Sequence, residues 1–246
     1  MESLWVENVS KGFKGLEVLS QVDIKVQAGE RHVIIGPNGA GKTTLFNVVS
    51  GRFAPDSGRI HLFGQDVTGV PPHRRCHLGL GRTFQITQIF GNLTLYENVL
   101  LAAQGTHPSR FDFWGSAWGK RDPVDRANDL LAEWDLEDKR ATLAKNLSYG
   151  TQRRLELMMV LASGTKLLLL DEPTAGLSAA EMVTMVSMIK SLDSRMSFLI
   201  IEHNMDVAFE LADRITVLHL GRLELSGLPE DIKKSARVKE IYLGQA

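Results

Sequence analysis

The chain has 246 residues, of which 43% are apolar and 23% are charged, enough to bury a substantial core in one large domain. Its 28 basic and 29 acidic side chains leave a formal net charge of −1, so we expect no nucleic-acid binding by a broad basic surface. The longest apolar runs, such as residues 157–162, are far shorter than the ~20 residues of a membrane-spanning helix. Because the N-terminal stretch is acidic and Cys76 is the single cysteine, we expect a cytoplasmic chain without an export signal or a disulfide.

The first part of the chain predicts β structure, then a glycine-rich loop and a helix. Residues 22–26 alternate apolar and polar side chains, which is typical of a half-buried strand, and residues 4–9 follow a similar but less regular pattern. Residues 31–35 end in β-branched apolar side chains, which favour a strand covered on both faces. After the loop, residues 42–50 are predicted to be helical, with Gly51 in the position of a C-terminal cap.

Residues 85–161 have a different sequence pattern, with long helical spacings of apolar residues at 124–134 and 153–162 and few stretches typical of strands. They also hold a group of aromatic residues at 111–118, for which we favour local packing over an interface with another protein. The remaining chain alternates short strands and helices, at 167–170, 179–192, 198–201, 206–212 and 215–218, before an amphipathic helix at 232–243. This alternation predicts an α/β fold around a largely parallel sheet. We expect a single domain, with a core of about 1–84 and 162–246 and a helical insertion of about 85–161.

A phosphate-binding loop is the strongest motif. Residues 36–43 match G-x-x-x-x-G-K-[ST] without deviation, follow a predicted strand and open a predicted helix, which is the context that the motif requires. Glycines let backbone N–H groups close around phosphates, the helix N-terminus adds positive partial charge, Lys42 reaches the terminal phosphates, and the Thr43 hydroxyl can bind Mg²⁺. Kinases, GTPases and many ATPases share this loop, so it predicts the class of ligand and leaves the reaction open.

Two carboxylates follow the apolar strand at 167–170. Ligands of open α/β sheets bind at the carboxyl ends of strands, where Asp171 is placed for Mg²⁺ and Glu172 is placed to polarise an attacking water. A pair of helix-capping acids is the alternative. The complete phosphate loop upstream favours the catalytic interpretation.

Further motifs extend the pattern over nearly the whole chain. Residues 147–152, Leu-Ser-Tyr-Gly-Thr-Gln, stand upstream of the acidic pair, and residues 175–178 follow it. Three single residues complete the set: Phe13 near the start, Gln85 at the end of an Arg-Thr-Phe-Gln run, and His203 at the end of a strand. In this order they resemble the ATP-binding cassette (ABC) ATPases, whose signature is usually Leu-Ser-Gly-Gly-Gln. The resemblance implies a P-loop NTPase core with an N-terminal antiparallel β subdomain and an inserted α-helical subdomain.

The resemblance also implies a mechanism, in which two ATPase subunits pair head to tail around two ATP molecules with Mg²⁺. Phe13 would stack on adenine, Glu172 would be the base, His203 would contact the γ-phosphate, and Gln85 would sense metal and water as the third catalytic residue. The implied metal ligands are Thr43, Gln85 and Asp171. The implied contacts to ATP phosphates come from Gly36, Pro37, Asn38, Gly39, Ala40, Gly41, Lys42, Thr43 and Thr44 of one subunit and from Ser148 and Gly150 of the other.

The same resemblance assigns the membrane path to separate permease subunits, served indirectly by a substrate-binding protein. The chain would then lie at the cytoplasmic face of the inner membrane as a peripheral subunit. Permease helices would dock beside the Gln85 loop, where Ile86, Ile89 and Phe90 either line the groove or pack within the insertion.

The signature departs from the common pattern, since Tyr149 replaces a glycine and Thr151 replaces a glutamine. Leu-Ser-Tyr-Gly, together with residues 81–85 and the ending at 241–244, resembles ATPases of branched-chain amino-acid uptake, a branch that includes importers of urea, amides and aromatic acids. Two alternatives stay open. One is an ATPase that drives lipopolysaccharide extraction, and the other is a non-transport ABC ATPase, such as an iron–sulfur assembly factor or a DNA-associated ATPase, although the near-neutral charge weighs against DNA.

Overall fold

The computed structural model describes residues 1–83, 88–105 and 123–243. A four-stranded antiparallel sheet forms the N-terminal part of the fold. The strand order is β2-β1-β4-β5, and every neighbouring pair is antiparallel. The buried residues of β2 recur at every second position in its C-terminal half, as the alternation of residues 22–26 predicts. The four strands are β1 (Glu2–Phe13), β2 (Leu16–Gln27), β4 (Ser57–Leu62) and β5 (Gln65–Asp66).

The second sheet has six strands in the order β10-β9-β3-β8-β7-β6. Its pairs are parallel from β9 to β6, and only β10 runs antiparallel, against β9. The members are β3 (Arg31–Ile35), β6 (Leu80–Arg82), β7 (Leu167–Asp171), β8 (Ser197–Ile201), β9 (Arg214–His219) and β10 (Arg222–Gly227). Strands β7 and β8 are buried along their whole length. Because β3, β7 and β8 are parallel neighbours, the residues that follow them meet at one edge of the sheet.

Apolar packing covers both faces of the six-stranded sheet. One cluster lies between the two sheets and encloses the buried face of helix α1 (Lys42–Val49). The other covers the opposite face with the remaining long helices, among which α3 packs against α4 and α5. The helices after α1 are α2 (Pro72–Leu78), α3 (Leu95–Gly105), α4 (Pro123–Glu133), α5 (Tyr149–Ala162), α6 (Ala179–Ser191), α7 (Met205–Leu211), α8 (Pro229–Lys234) and α9 (Ala236–Leu243). No helix within the described ranges combines the length and the apolar character of a bilayer crossing.

The α/β class and its largely parallel sheet are confirmed, while two helix predictions differ from the structure. Helix α5 begins at Tyr149, earlier than the predicted start at 153, because the Ser148 side chain caps it. The predicted helix at 232–243 is two helices, broken at Ser235, whose extended backbone and side-chain acceptor start α9. The domain boundaries stay a prediction, and the aromatic residues at 111–118 lie outside the described residues.

Candidate active site

The phosphate loop joins β3 to α1, and its glycines are required by close backbone contacts. Gly36 has φ 153°, and a Cβ built on it would lie 2.1 Å from the Leu218 carbonyl oxygen. Gly41 has φ 102°, and its Cβ would lie 2.8 Å from the Val18 carbonyl oxygen. Side chains are therefore excluded at these two positions, and the loop can present its N–H groups at a helix N-terminus, as phosphate binding requires.

Lys42 is held inside its own loop. Its Nζ donates to the carbonyl oxygens of Gly36 at 2.5 Å and Pro37 at 2.9 Å, and the residue is buried. Burial lowers the pKa of Lys42, against the opposing charges of Glu172 and Asp171. The backbone carbonyl oxygens thus hold the ammonium group in place. Phosphate oxygens carry negative charge and would be stronger acceptors for the same group.

One cleft collects most of the predicted site. The phosphate-loop residues share it with Glu172, which follows β7, and His203, which follows β8, because these parallel strands end at the same edge of the sheet. The Thr43 side chain is exposed at this cleft. The lining residues are Val18, Asn38, Gly39, Ala40, Gly41, Lys42, Thr43, Thr44, Glu172 and His203.

Glu172 and His203 contact each other directly, with Glu172 Oε1 2.8 Å from His203 Nε2. Glu172 has φ 51°, a left-handed conformation that is uncommon for a side chain of this size. Its backbone N–H donates to the carbonyl oxygen of Ile201 at 3.0 Å, which holds the strand end in place. This conformation sets the direction in which the Glu172 side chain leaves the end of β7.

Asp171 lies behind the cleft, buried at the end of β7, and is not among the residues that line it. Burial raises the pKa of Asp171, while the Arg82 guanidinium, 3.3 Å away, opposes that effect. Arg82 also donates to Asn47 Oδ1 and to Ser50 Oγ of the α1 C-terminus, both at 2.8 Å. The sequence motifs assigned no role to Arg82, because its role depends on the β6–β7 register, which sets Arg82 opposite Leu169.

Glu202 is a second residue to which the sequence motifs assigned no role. Its buried carboxylate accepts hydrogen bonds from the Thr174 hydroxyl at 2.7 Å and the Thr174 N–H at 3.3 Å, and also from the N–H groups of His203 at 3.0 Å and Asn204 at 3.3 Å. Burial raises the pKa of Glu202, and these hydrogen bonds oppose the shift. The carboxylate joins the loop after Glu172 to the loop of His203, and a charged residue at the end of an apolar strand is the signal that could have identified it.

Ser148 and Gly150 lie in a separate cleft that shares no lining residue with the first. Ser148 Oγ accepts from the Thr151 N–H at 3.3 Å and lies 2.9 Å from Thr151 Oγ1. A Cβ built on Gly150 would lie 2.3 Å from Glu181 Oε1, so the glycine makes room for the carboxylate that caps α6. Thr151, which replaces the usual glutamine, here supports the cap of α5.

Three further predicted residues, Phe13, Ile89 and Phe90, are absent from the lining of both clefts. Phe13 is 37% exposed, with its ring 5.2 Å from Phe53 in an edge arrangement, and is not among the residues that line the phosphate-loop cleft. Ile89 packs against the helical core, whereas Phe90 is 53% exposed. Gln85, with its neighbours at 84–87, lies outside the described residues. The functional roles of all these residues stay predictions.

Comparisons with known proteins agree with this geometry. A family model described as "ABC transporter" matches residues 19–175. The chain is 37% identical to the probable branched-chain amino acid transport ATP-binding protein LivG of Archaeoglobus fulgidus, over 99% of this chain and 96% of that protein. It is 34% identical to the lipopolysaccharide export system ATP-binding protein LptB of Escherichia coli K12, over 100% of this chain and 98% of that protein. A solved nucleotide-free ATP-binding cassette from an ABC transporter superposes with a TM-score of 0.86 at 30% identity, covering 98% of this chain and 99% of the other.

Proposed function

The chain belongs to the ABC transporter family and is an ATPase subunit of a transporter, and from this premise we propose that it powers import of branched-chain amino acids or related small amides. The observation that carries this proposal is the similarity to LivG over almost the full length of both proteins. The Leu-Ser-Tyr-Gly run at 147–150 supports it. A second candidate is lipopolysaccharide export, which the full-length similarity to LptB favours.

We propose that hydrolysis takes place in the phosphate-loop cleft. Glu172 would accept a proton from the attacking water, whose oxygen displaces ADP from the γ-phosphorus, and the adjacent His203 would position that carboxylate and contact the γ-phosphate. Lys42 would exchange its loop carbonyls for phosphate oxygens. Phe13 would stack on the adenine from outside the cleft.

The donor set fits a magnesium ion in its chemistry, because the Thr43 hydroxyl is exposed at the cleft and the Asp171 carboxylate ends β7 behind it, at the same edge of the sheet. We propose these two groups, with Gln85, as the residues that would hold it. When bound, the ion would neutralise charge on the phosphates. Arg82 keeps the buried Asp171 carboxylate paired with a positive charge.

ABC ATPases dimerise and work with transmembrane permeases, and the two separate clefts are consistent with half-sites completed by a second subunit. We propose that Ser148 and Gly150 bind the ATP of the partner, the serine through its hydroxyl and the glycine through its N–H at the start of α5. The permeases would receive substrate from a binding protein, with this subunit at the cytoplasmic face of the inner membrane.

Transport of labelled leucine tests the proposal against its alternative. Cells that lack this protein should lose ATP-dependent leucine, isoleucine and valine uptake, and the wild-type gene should restore it where the Glu172→Gln variant does not. Normal uptake of these amino acids with lipopolysaccharide retained in the inner membrane would reject import and favour the export function.

A further inference from the structure

Tyr149 stands where the ABC signature usually has a glycine, and its side chain reaches out of its own helix. The residue is 45% exposed, yet its hydroxyl donates to the Ala175 carbonyl oxygen at 3.2 Å. A Cβ built on Gly176 would lie 3.2 Å from Tyr149 Cε1, so the ring lies directly on the backbone of that glycine. The first residue of α5 is therefore attached to the segment at 175–178.

The Tyr149 hydroxyl is also polarised by a cation. Arg153 Nε donates to it at 3.1 Å, and the Arg153 guanidinium lies 5.5 Å from the centre of the Tyr149 ring. Arg153 is buried and also pairs with Glu156 at 3.1 Å. A hydroxyl that accepts from a charged donor is a stronger donor itself, so the bond to Ala175 is reinforced from within α5.

The contact connects the two clefts of one chain. The Ala175 N–H donates to the Glu172 carbonyl oxygen at 3.1 Å, so a short path runs from Glu172 through Ala175 to Tyr149, which lies between Ser148 and Gly150 in sequence. A second link runs beside it, since the Gly150 position abuts Glu181, whose carboxylate completes the capping box with Ser178. The start of α5 and the loop after Glu172 are thereby tied at two points.

We propose that Tyr149 is a positioning residue, which holds Ser148 and Gly150 at a set place relative to the Glu172 loop of the same chain. This inference rests on the proposed function, in which Ser148 and Gly150 close on the ATP of a partner subunit. In the proposed dimer, each ATP lies between the phosphate-loop cleft of one subunit and Ser148 and Gly150 of the other. The Tyr149 hydroxyl fixes these two parts of one chain relative to each other, so that both ATP sites can form together. Its loss should weaken ATP-driven pairing and leave nucleotide binding to the single subunit unchanged.

The experiment measures ATP-driven dimer formation by analytical ultracentrifugation in the Glu172→Gln background, in which hydrolysis is blocked. Tyr149→Phe keeps the ring and removes only the hydroxyl, so we expect the ATP concentration for half-maximal dimerisation to rise roughly threefold to tenfold, the range of one net hydrogen bond. Tyr96→Phe is the matched control, because Tyr96 also packs its ring on an arginine, Arg140, in the helical region. It should leave the ATP dependence unchanged.

Two further readouts separate positioning from a general loss of structure. The affinity of the monomer for a fluorescent ATP analogue should not change in Tyr149→Phe, and the Tm should fall by no more than one lost hydrogen bond costs, about 2–4 °C. In the chain that retains Glu172, the KM for ATP should rise more than kcat falls. An unshifted ATP dependence of dimerisation in Tyr149→Phe rejects the inference and leaves the proposed function intact. Equal weakening of monomer binding, or a fall in Tm much larger than one hydrogen bond explains, also rejects positioning. If the Glu172→Gln parent itself stays monomeric at saturating ATP, the proposed dimeric mechanism fails and this inference fails with it.

Discussion

The two clefts differ in how much of a site each contains. The phosphate-loop cleft brings Lys42, Glu172 and His203 together from three strand ends of the parallel sheet. The second cleft, lined by Ser148 and Gly150 and here called the signature cleft, offers the N-terminus of α5, the Ser148 hydroxyl and the backbone of Gly150. The phosphate-loop cleft has groups for acid–base chemistry, while the signature cleft has donors suited to an anion, beside the Glu181 carboxylate. The single chain therefore presents two clefts of unequal composition, which fits the proposal that a second ATPase subunit completes each of them.

The largest effect is expected from Glu172→Gln, which removes the proposed base and keeps the shape of the side chain. Turnover should fall by about 10²–10⁴, the usual contribution of a general base, while ATP binding persists. Steady-state ATP hydrolysis and nucleotide binding measure the two effects. Glu210→Gln is the control, since Glu210 is an exposed partner of Lys190 away from both clefts, and undiminished hydrolysis in Glu172→Gln would refute the assignment of the base.

Arg82→Gln tests the buried ion pair between Arg82 and Asp171, which lies behind the phosphate-loop cleft. The substitution leaves the buried Asp171 carboxylate without its cation, so the free energy of unfolding should fall by about 3 kcal/mol, within the range for breaking a buried ion pair. Urea denaturation measures this change. Arg195→Gln removes an exposed pair with Asp193 at 2.7 Å and should have no measurable effect, because water screens that pair. Similar losses in both variants would contradict the role of burial.

Gly150→Ala tests the signature cleft in the same way. The added methyl group would lie 2.3 Å from Glu181 Oε1 and would displace the carboxylate from the capping box of α6, so we expect a small loss of stability in urea denaturation. Glu181→Ala should cost a similar amount alone and add little to Gly150→Ala in the double variant. Gly69→Ala is the control, since a Cβ built on Gly69 would meet nothing within 4 Å beyond its chain neighbours. Fully additive losses would show that the two residues do not interact.

The smallest effect concerns the pH dependence of stability at Glu202. Because burial raises its pKa in the folded state, the native chain binds this proton more tightly than the unfolded chain does. That contribution to stability is present below the unfolded-state pKa and is lost as pH rises through the folded-state pKa. The stability of wild type relative to Glu202→Gln should therefore decline as pH increases, as measured by urea denaturation at several pH values. A relative stability that grows with pH would mean that the hydrogen bonds outweigh burial.

Prediction from sequence was accurate where a feature is local. The strand at 31–35, the glycine loop and the helix from Lys42 are consecutive, so one motif specifies all three. The prediction of one continuous helix at 232–243 was wrong. The spacing of apolar residues cannot show that the backbone of Ser235 is extended and that a new helix starts after it. Family resemblance pointed to Ser148 and Gly150, but the group that a side chain at position 150 would meet belongs to Glu181, a residue of the next helix.

Residues adjacent in sequence were enough to specify the nucleotide ligand, the α/β class and the ABC resemblance, because a phosphate loop, a strand ending in acids and a helix cap are each short stretches of chain. The meeting of distant groups is set by tertiary structure alone. Arg82 reaches Asp171 through the β6–β7 register, Glu172 meets His203 at adjacent strand ends, and Tyr149 crosses from α5 to Ala175. Such contacts depend on strand order and helix packing, in which residues far apart in the chain become neighbours.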